Sequence, residues 1–426
     1  MIDFKTCRSL EDWLIAQETN HHKAWDLGLS RISEVWKRLG APKIADFVIS
    51  VAGTNGKGSC VCWSEAICRA AGISIASFSS PHLLDYRERI RFNGEKVSAD
   101  VLIKAFEKID AARGEISLSF FEWSALAAFL LMAEKKPQIA VLEVGLGGRL
   151  DAVNMLDADA AIFSRIGLDH QDWLGDTIEK IALEKAGIMR SKQRIAIAYQ
   201  NPPANFLNAA KEKSQRIWIY GQDINAEFAD ADKTQIKTDV LGEEIKLSAP
   251  KYLLGKHQLG HFAACAAVIN EQFSLNKEIL EQASLHAKNF GRLTTIAENP
   301  EILIDVAHNE DSAEVLAEFL AEKRTKIRGK IIAVCAMLKD KDQKAVFRKL
   351  QNQIDLWFFA SLDGTRGDEA ENLAENAKSA GINQEKINIS SDVETAVKTA
   401  KKHLREEDLL VITGSFVTVG KFLDRK

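Results

Sequence analysis

The sequence has no run of 18 or more apolar residues. Its longest apolar stretch, ALAAFLLMA at 125–133, is too short to cross a bilayer as a helix. The opening MIDFKTCRSLEDW is charged and polar and has no apolar centre of the kind a signal peptide needs. Proline is scarce, with 7 residues, which argues against a long extended linker. The 6 cysteines form no C-x-x-C pair and no zinc spacing, so a disulfide framework and a thiolate metal site are both disfavoured. Buried, reduced thiols in a cytoplasmic protein are expected. Excess positive charge is missing too: 56 Lys and Arg against 60 Asp and Glu leave a net charge of −4, and no basic field invites nucleic acid. The basic run EKRTKIRGK at 322–330 is short and reads as a solvated face.

The chain has the composition of an ordinary globular protein, 46% hydrophobic and 27% charged. Its 426 residues exceed the roughly 250–300 at which one core usually splits, so two domains are expected. Short β-branched runs alternate with helical patterns, the signal of a parallel α/β sheet. In the first half the candidate strands are FVISVAG (47–53), ISIASFS (73–79), IAVLEVG (139–145), AAIFSRI (160–166) and RIAIAY (194–199). Residues 224–250 alternate apolar and polar positions between turn residues, an antiparallel excursion, and KHQLGHFAACAAVINEQF (256–273) is an Ala-rich helix. The strand–helix rhythm restarts at EILIDVAH (301–308), KIIAVCAM (330–337), DLWFFAS (355–361) and DLLVITGS (408–415). The boundary falls near 287–296. The expected fold is an α/β protein: an N-terminal P-loop ATPase-like parallel-sheet domain, 1–288, with a small antiparallel β excursion, and a C-terminal Rossmann-like α/β domain, 296–426.

The stretch GTNGKGS at 53–59 carries chemistry. A phosphate loop ordinarily reads G-x-x-x-x-G-K and then Ser or Thr. Here Gly58 intervenes before Ser59, and Val51 stands where the first glycine belongs. The context is nonetheless right, a strand before the loop and a helix after it, with Trp63, Ala66, Ile67 and Ala70 marking one apolar helix face. Glycines let the backbone approach an anion, Lys57 adds a point charge, and Ser59 can reach a phosphate or its metal. A nucleoside triphosphate brings Mg²⁺, which takes oxygen ligands. The candidates at strand ends are Ser80 and His82 in FSSPHL, Glu143 in LEVGLGGRLDAVN, and Asp169 and His170 in LDHQDWLG.

These motifs, with SSPHLLDYRERIRFNG, FFEW, EKAGI and DVAHN, resemble the folylpolyglutamate synthase/dihydrofolate synthase family of the Mur ligase superfamily, whose phosphate loop has the same spacing. The resemblance runs from Asp26 to GSFVTVG near the C-terminus. It implies that Gly56, Lys57, Gly58 and Ser59 bind ATP phosphates, with Arg292, Asp305 and His308 contributed by the second half. It implies Ser80, Glu143 and His170 as Mg²⁺ ligands, with K⁺ as an assisting ion, although imidazole suits softer metals. Lys57, His170 and Lys185 would be catalytic, Lys185 standing where family members carry a carbamylated lysine. The dihydropteroate-contacting segments would be Leu27, Gly28 and Leu29; Phe121, Glu122, Trp123 and Ser124; and Leu150, Asp151 and Ala152. Phe121 and Trp123 would offer flat stacking surfaces. One position departs: where the family has Asn in an HQ-x-x-N-A-A pattern near the nucleotide, this sequence has His261.

The implied reaction is ATP-dependent ligation of L-glutamate to 7,8-dihydropteroate and to tetrahydrofolate through an acyl phosphate, performed by a monomer. The alternatives are extension of folates alone or a different Mur-type amino-acid ligase. A hydrolytic P-loop NTPase is disfavoured by the loop spacing and the pterin-like segments.

Overall fold

The computed structural model describes residues 2–21 and 26–424. The chain divides into two compact units, one of Met1–Ile166, Asp172–Lys251 and Lys256–Lys288, the other of Gly167–Gln171, Tyr252–Gly255 and Asn289–Lys426.

In the first unit the strands are β1 (Phe47–Ala52), β2 (Ile75–Phe78), β3 (Ile90–Phe92), β4 (Glu95–Lys96), β5 (Ile139–Glu143), β6 (Ala160–Phe163), β7 (Gln193–Ile197) and β8 (Ser214–Ile219). They form one sheet in the order β4-β3-β2-β5-β1-β6-β7-β8. Pairing from β2 to β8 is parallel, and β3 and β4 join antiparallel at one edge. β1, β2, β5 and β6 are buried along their whole length, as parallel strands covered on both faces must be. The register sets the chemistry: Val51 of β1 lies opposite Glu143 of β5, and Phe78 of β2 lies opposite Leu142. The C-terminal ends of three adjacent strands therefore finish level, and the loops that follow them converge.

The apolar run near 125–133 lies in the helix Phe120–Lys135, which is buried continuously from Glu122 to Ala133. A helix that is apolar all round belongs inside a core. Its start is fixed by a capping box between Ser119 and Glu122. Among the described residues no helix is long and apolar enough to cross a membrane. The alternating stretch folds as β9 (Ala226–Phe228), β10 (Gln235–Thr238) and β11 (Ile245–Ser248), a three-stranded antiparallel sheet.

The second unit carries β12 (Thr294–Glu298), β13 (Glu301–Ile304), β14 (Ile331–Cys335), β15 (Leu356–Ala360), β16 (Ile387–Ser390) and β17 (Leu409–Thr413), in the order β12-β13-β17-β14-β15-β16. All neighbours are parallel except β12 against β13. Phe347, Trp357 and Phe359 pack against one another in its core. The α/β class expected from the sequence is the one observed. The short edge strands β3, β4 and β12 were not expected from the sequence, since two to five residues at a sheet edge carry little periodic signal. The described cysteines form no disulfide, and all but Cys62 are buried. Burial pushes the Cys335 thiol up to about 12, so it stays protonated.

Candidate active site

The phosphate loop leaves β1 and enters the helix Lys57–Ala70 through Gly56, whose φ of 93° is a left-handed conformation that glycine adopts without strain. No side chain caps this helix start, and a helix N-terminus is the amide-rich end that suits an anion. A Cβ on Gly53 would stand 1.9 Å from Ser164 Oγ, so only glycine allows β6 to approach the loop there. Thr54 and Asn55 donate their amides to the Arg165 carbonyl at 2.7 and 3.3 Å, fixing the loop against the end of β6. Lys57 Nζ donates to the Gly53 and Thr54 carbonyls at 3.2 and 3.3 Å. Lys185, 4% exposed on the helix Ile178–Ala186, donates to the same Gly53 carbonyl at 2.9 Å. Both catalytic lysine candidates of this unit thus meet at one turn.

His261 is buried, and its ring atoms stand 2.4 Å from where a Gly56 Cβ would be. Gln258, one helical turn earlier, accepts from Trp63 Nε1 at 3.2 Å, lies 3.3 Å from His261 Nδ1, and donates to Ser59 Oγ at 3.1 Å. Gln258 was not singled out from the sequence. Its signal lay in HQLGH, where Gln258 and His261 stand three apart on one helix face.

At the end of β2 the Ser80 amide donates to Glu143 Oε2 at 3.1 Å, and Glu143 is 4% exposed. Two of the metal-ligand candidates are therefore adjacent. Among the described residues no group of three or more His, Cys, Asp or Glu is arranged to hold a metal ion.

The segments expected to hold the pterin divide. Gly28 donates its amide to the Leu150 carbonyl at 3.2 Å, which joins the Leu27–Gly28–Leu29 stretch to the loop after β5. The half-buried Phe121 ring lies against Phe78, with centroids 5.6 Å apart, and covers Gly145. The Asp151 carboxylate organises the backbone of that loop, accepting amides from Gly145, Leu146 and Val153 at 2.9–3.0 Å. Burial lifts its carboxyl to about 6 against the opposing pull of those amides and of Lys57. Ala152 is buried beside it. Glu122 caps its own helix and pairs with Arg31 at 3.2 Å, and Arg31 pairs with Asp26 at 2.9 Å.

Trp123 and Ser124, expected at the pterin, are both buried. Trp123 is 2% exposed and packs within 5.1–6.0 Å of the Phe4, Trp13 and Phe106 rings, so it has no open face for a ligand. Ser124 is fully buried and bonded to Tyr86 and the Phe120 carbonyl. Adjacent residues of one helix point about 100° apart, so FFEW cannot present all its side chains to one cavity. Trp123→Ala is expected to lower the denaturant stability of the first unit by about 3–5 kcal/mol. A loss below about 1 kcal/mol in a urea titration would return Trp123 to the surface.

The second unit gathers its own cluster. Arg292 lies over the Phe416 ring at 5.1 Å. The buried Asp305 accepts amides from Leu293 and Ala307 at 2.8 Å, and burial raises its carboxyl against the pull of Arg292. Asp169, in the segment before His170, pairs with Lys341 at 2.7 Å and accepts from Asn309 at 3.1 Å. Lys341, His170 and His308 outweigh the burial penalty and hold its carboxyl well below the usual range. His308 lies 2.8 Å from the Val306 carbonyl through Nδ1, and burial with Lys341 depresses it to about 4, leaving it neutral at pH 7. His170 has a φ of 52°, and its amide donates to its neighbour Asp169 at 2.9 Å. Lys341 was not found from the sequence; its MLKDKD loop carries no pattern until β14 places it.

Comparison with known proteins follows the same division. The Mur ligase middle domain matches residues 51–269, and the Mur ligase glutamate ligase domain matches residues 291–416. The dihydrofolate synthase/folylpolyglutamate synthase of Escherichia coli (strain K12) is 36% identical over 97% of this chain and 95% of its own. The structure of E. coli FolC in complex with DHPP and ADP superposes with a TM-score of 0.91 at 34% identity, covering 98% of both chains. A bifunctional folylpolyglutamate synthase/dihydrofolate synthase with Mn, AMPPNP and L-glutamate bound gives a TM-score of 0.88 at 35% identity, covering 98% of both chains.

Proposed function

Because the chain belongs to the dihydrofolate synthase/folylpolyglutamate synthase family of Mur ligases, we propose that it uses ATP to join L-glutamate to 7,8-dihydropteroate and to tetrahydrofolate. The observation that carries the reading is the uncapped helix start at Gly56, with Lys57 and Lys185 sharing the Gly53 carbonyl and the Ser80–Glu143 pair at the next strand ends.

In this reading a substrate carboxylate oxygen attacks the γ-phosphorus of ATP. The new C–O–P linkage forms, the bond to the β-phosphate oxygen breaks, and ADP leaves. The amine of L-glutamate, having lost one proton, then attacks the acyl carbon. The C–O bond to phosphate breaks, a second proton leaves nitrogen, and an amide remains. The protein's part is positioning and electrostatics. Gly56, Lys57, Gly58 and Ser59 hold the phosphates, with His261 against the loop, and Arg292, Asp305 and His308 serve the nucleotide. Ser80, Glu143 and His170 would hold the divalent ion; hydroxyl and carboxylate donors suit magnesium, and K⁺ would be an assisting ion. When bound, the ion neutralises charge on the transferring phosphoryl group.

Lys185 is proposed to be carbamylated, which turns a buried cation into an anion. Its burial beside the Gly53 carbonyl supports a role at the loop, not one on the surface. For the pterin the reading keeps Phe121 with the joined segments Leu27–Gly28–Leu29 and Leu150–Asp151–Ala152, and drops Trp123 and Ser124 as contacts.

The test is ADP release with ATP, Mg²⁺ and L-glutamate, run separately with 7,8-dihydropteroate and tetrahydrofolate. Turnover with both is expected. Turnover with tetrahydrofolate alone would leave the extension activity and remove the dihydropteroate site. Without glutamate-dependent turnover on either substrate, the proposal fails.

A further inference from the structure

His82 stands two residues beyond Ser80, close to the strand end that carries a metal-ligand candidate, yet its hydrogen bonding points elsewhere. Arg89 Nε donates to His82 Nδ1 at 3.0 Å. A guanidinium has donors only, so Nδ1 must be the acceptor, and the neutral ring then carries its proton on Nε2. Such a ring has no lone pair left for a metal and one N–H to give.

The surroundings hold that state in place. Arg89 is 8% exposed and lies over the Tyr86 and Phe120 rings at 5.5 and 5.3 Å. Glu88 accepts the amides of Leu83, Leu84 and Asp85 at 2.8, 3.2 and 3.0 Å, which fixes the backbone just after His82. The His82 ring packs on Tyr86 at 5.9 Å, and Tyr86 packs on Phe120 at 5.7 Å. His82 thus follows, two residues along the chain, the strand end that carries the Ser80–Glu143 pair, and through Tyr86 it is joined to the Phe120 end of the buried helix, so it links two neighbourhoods.

We propose that the Nε2–H of His82, its tautomer set by Arg89, donates a hydrogen bond to the substrate carboxyl group that is phosphorylated and then attacked. The inference rests on the functional reading above. A substrate with its pterin at Phe121 and its reacting end at the phosphate loop carries its carboxylate between these two neighbourhoods. One carboxylate oxygen must stay nucleophilic, and a neutral donor on the other oxygen leaves it so where a cation would blunt it. That second oxygen becomes the acyl carbonyl, and it gathers negative charge when the amine attacks, which is where a fixed donor contributes most. Arg89 is a positioning residue acting through His82.

The experiment compares His82→Ala and His82→Gln with the unsubstituted protein, using 7,8-dihydropteroate and its analogue lacking the carboxyl group. In His82→Ala, kcat/KM for dihydropteroate is expected to fall about 100-fold with the KM for ATP unchanged. Glutamine, whose side chain donates N–H, should recover about tenfold of that loss. Binding of the decarboxylated analogue should stay within about twofold in both variants, because the lost contact is to a group it lacks. If alanine unfolds the protein, His82→Gln against His82→Met decides, since both fill the space and only glutamine donates. The proposal is overturned by near-normal kcat/KM in His82→Ala, by an equal loss of affinity for the decarboxylated analogue, or by a raised Mg²⁺ requirement. Absence of turnover in the unsubstituted protein would instead overturn the functional reading.

Discussion

Lys57→Ala is expected to lower glutamate-dependent ADP release by about 10²–10³-fold with dihydropteroate and with tetrahydrofolate alike, the usual cost of removing one preorganised charge from a transferring group. Both substrates share the phosphate loop, so the two losses should match. The fold should survive. Lys57 is half-buried at the first turn of its helix, its Nζ donates to two loop carbonyls, and alanine is the best helix former. Thermal unfolding should therefore shift by no more than about 1 kcal/mol of stability. Lys57→Arg separates charge from placement: the charge stays, but a planar fork replaces a compact ammonium, and partial recovery is expected. Turnover near the normal rate in Lys57→Ala would end the phosphate-loop assignment.

Glu143→Gln is the second large effect. Glutamine is isosteric and can still accept the Ser80 amide, so the geometry between β2 and β5 is kept while the negative charge is lost. The Mg²⁺ concentration for half-maximal activity should rise by at least about 10–100-fold, the range seen even when only an outer partner of a metal ligand is removed. Direct titration with Mn²⁺ in the presence of a non-hydrolysable ATP analogue should show the same weakening without any turnover. Asp151→Asn provides the contrast, because Asp151 is buried beside the same loop and holds backbone amides. It should cost stability with metal affinity unchanged. An unaltered metal titration in Glu143→Gln would remove that residue from the site.

The strong signals in the sequence were those generated within a few consecutive residues. GTNGKGS announces a glycine-rich strand–loop–helix turn, because glycine spacing and a lysine are enough to suggest one, even with Ser59 displaced by one position. The apolar run at 125–133 stood out in the sequence, and the structure places it inside the buried helix Phe120–Lys135. FFEW shows where such reading stops. Its four residues look like one recognition segment, but the turn of the helix sends Trp123 into an aromatic core and leaves Phe121 beside Gly145. Gln258 and Lys341 were missed for a related reason. Each acquires its role from a partner far away in the chain, Ser59 for one and Asp169 for the other.

By itself the sequence determined the α/β class, the glycine-rich turn between a strand and a helix, the family and the strand ends that carry Ser80 and Glu143, because local motifs and hydrophobic period encode all of these. Only the tertiary structure decided which side chains in those motifs are engaged in holding the protein together. Asp151 commits its carboxylate to three amides, Trp123 fills a core, and Arg89 sets the proton of His82. A hydrogen-bonding group can satisfy only so many partners, and which partners it meets depends on residues that the fold, not the sequence order, brings within about 3 Å.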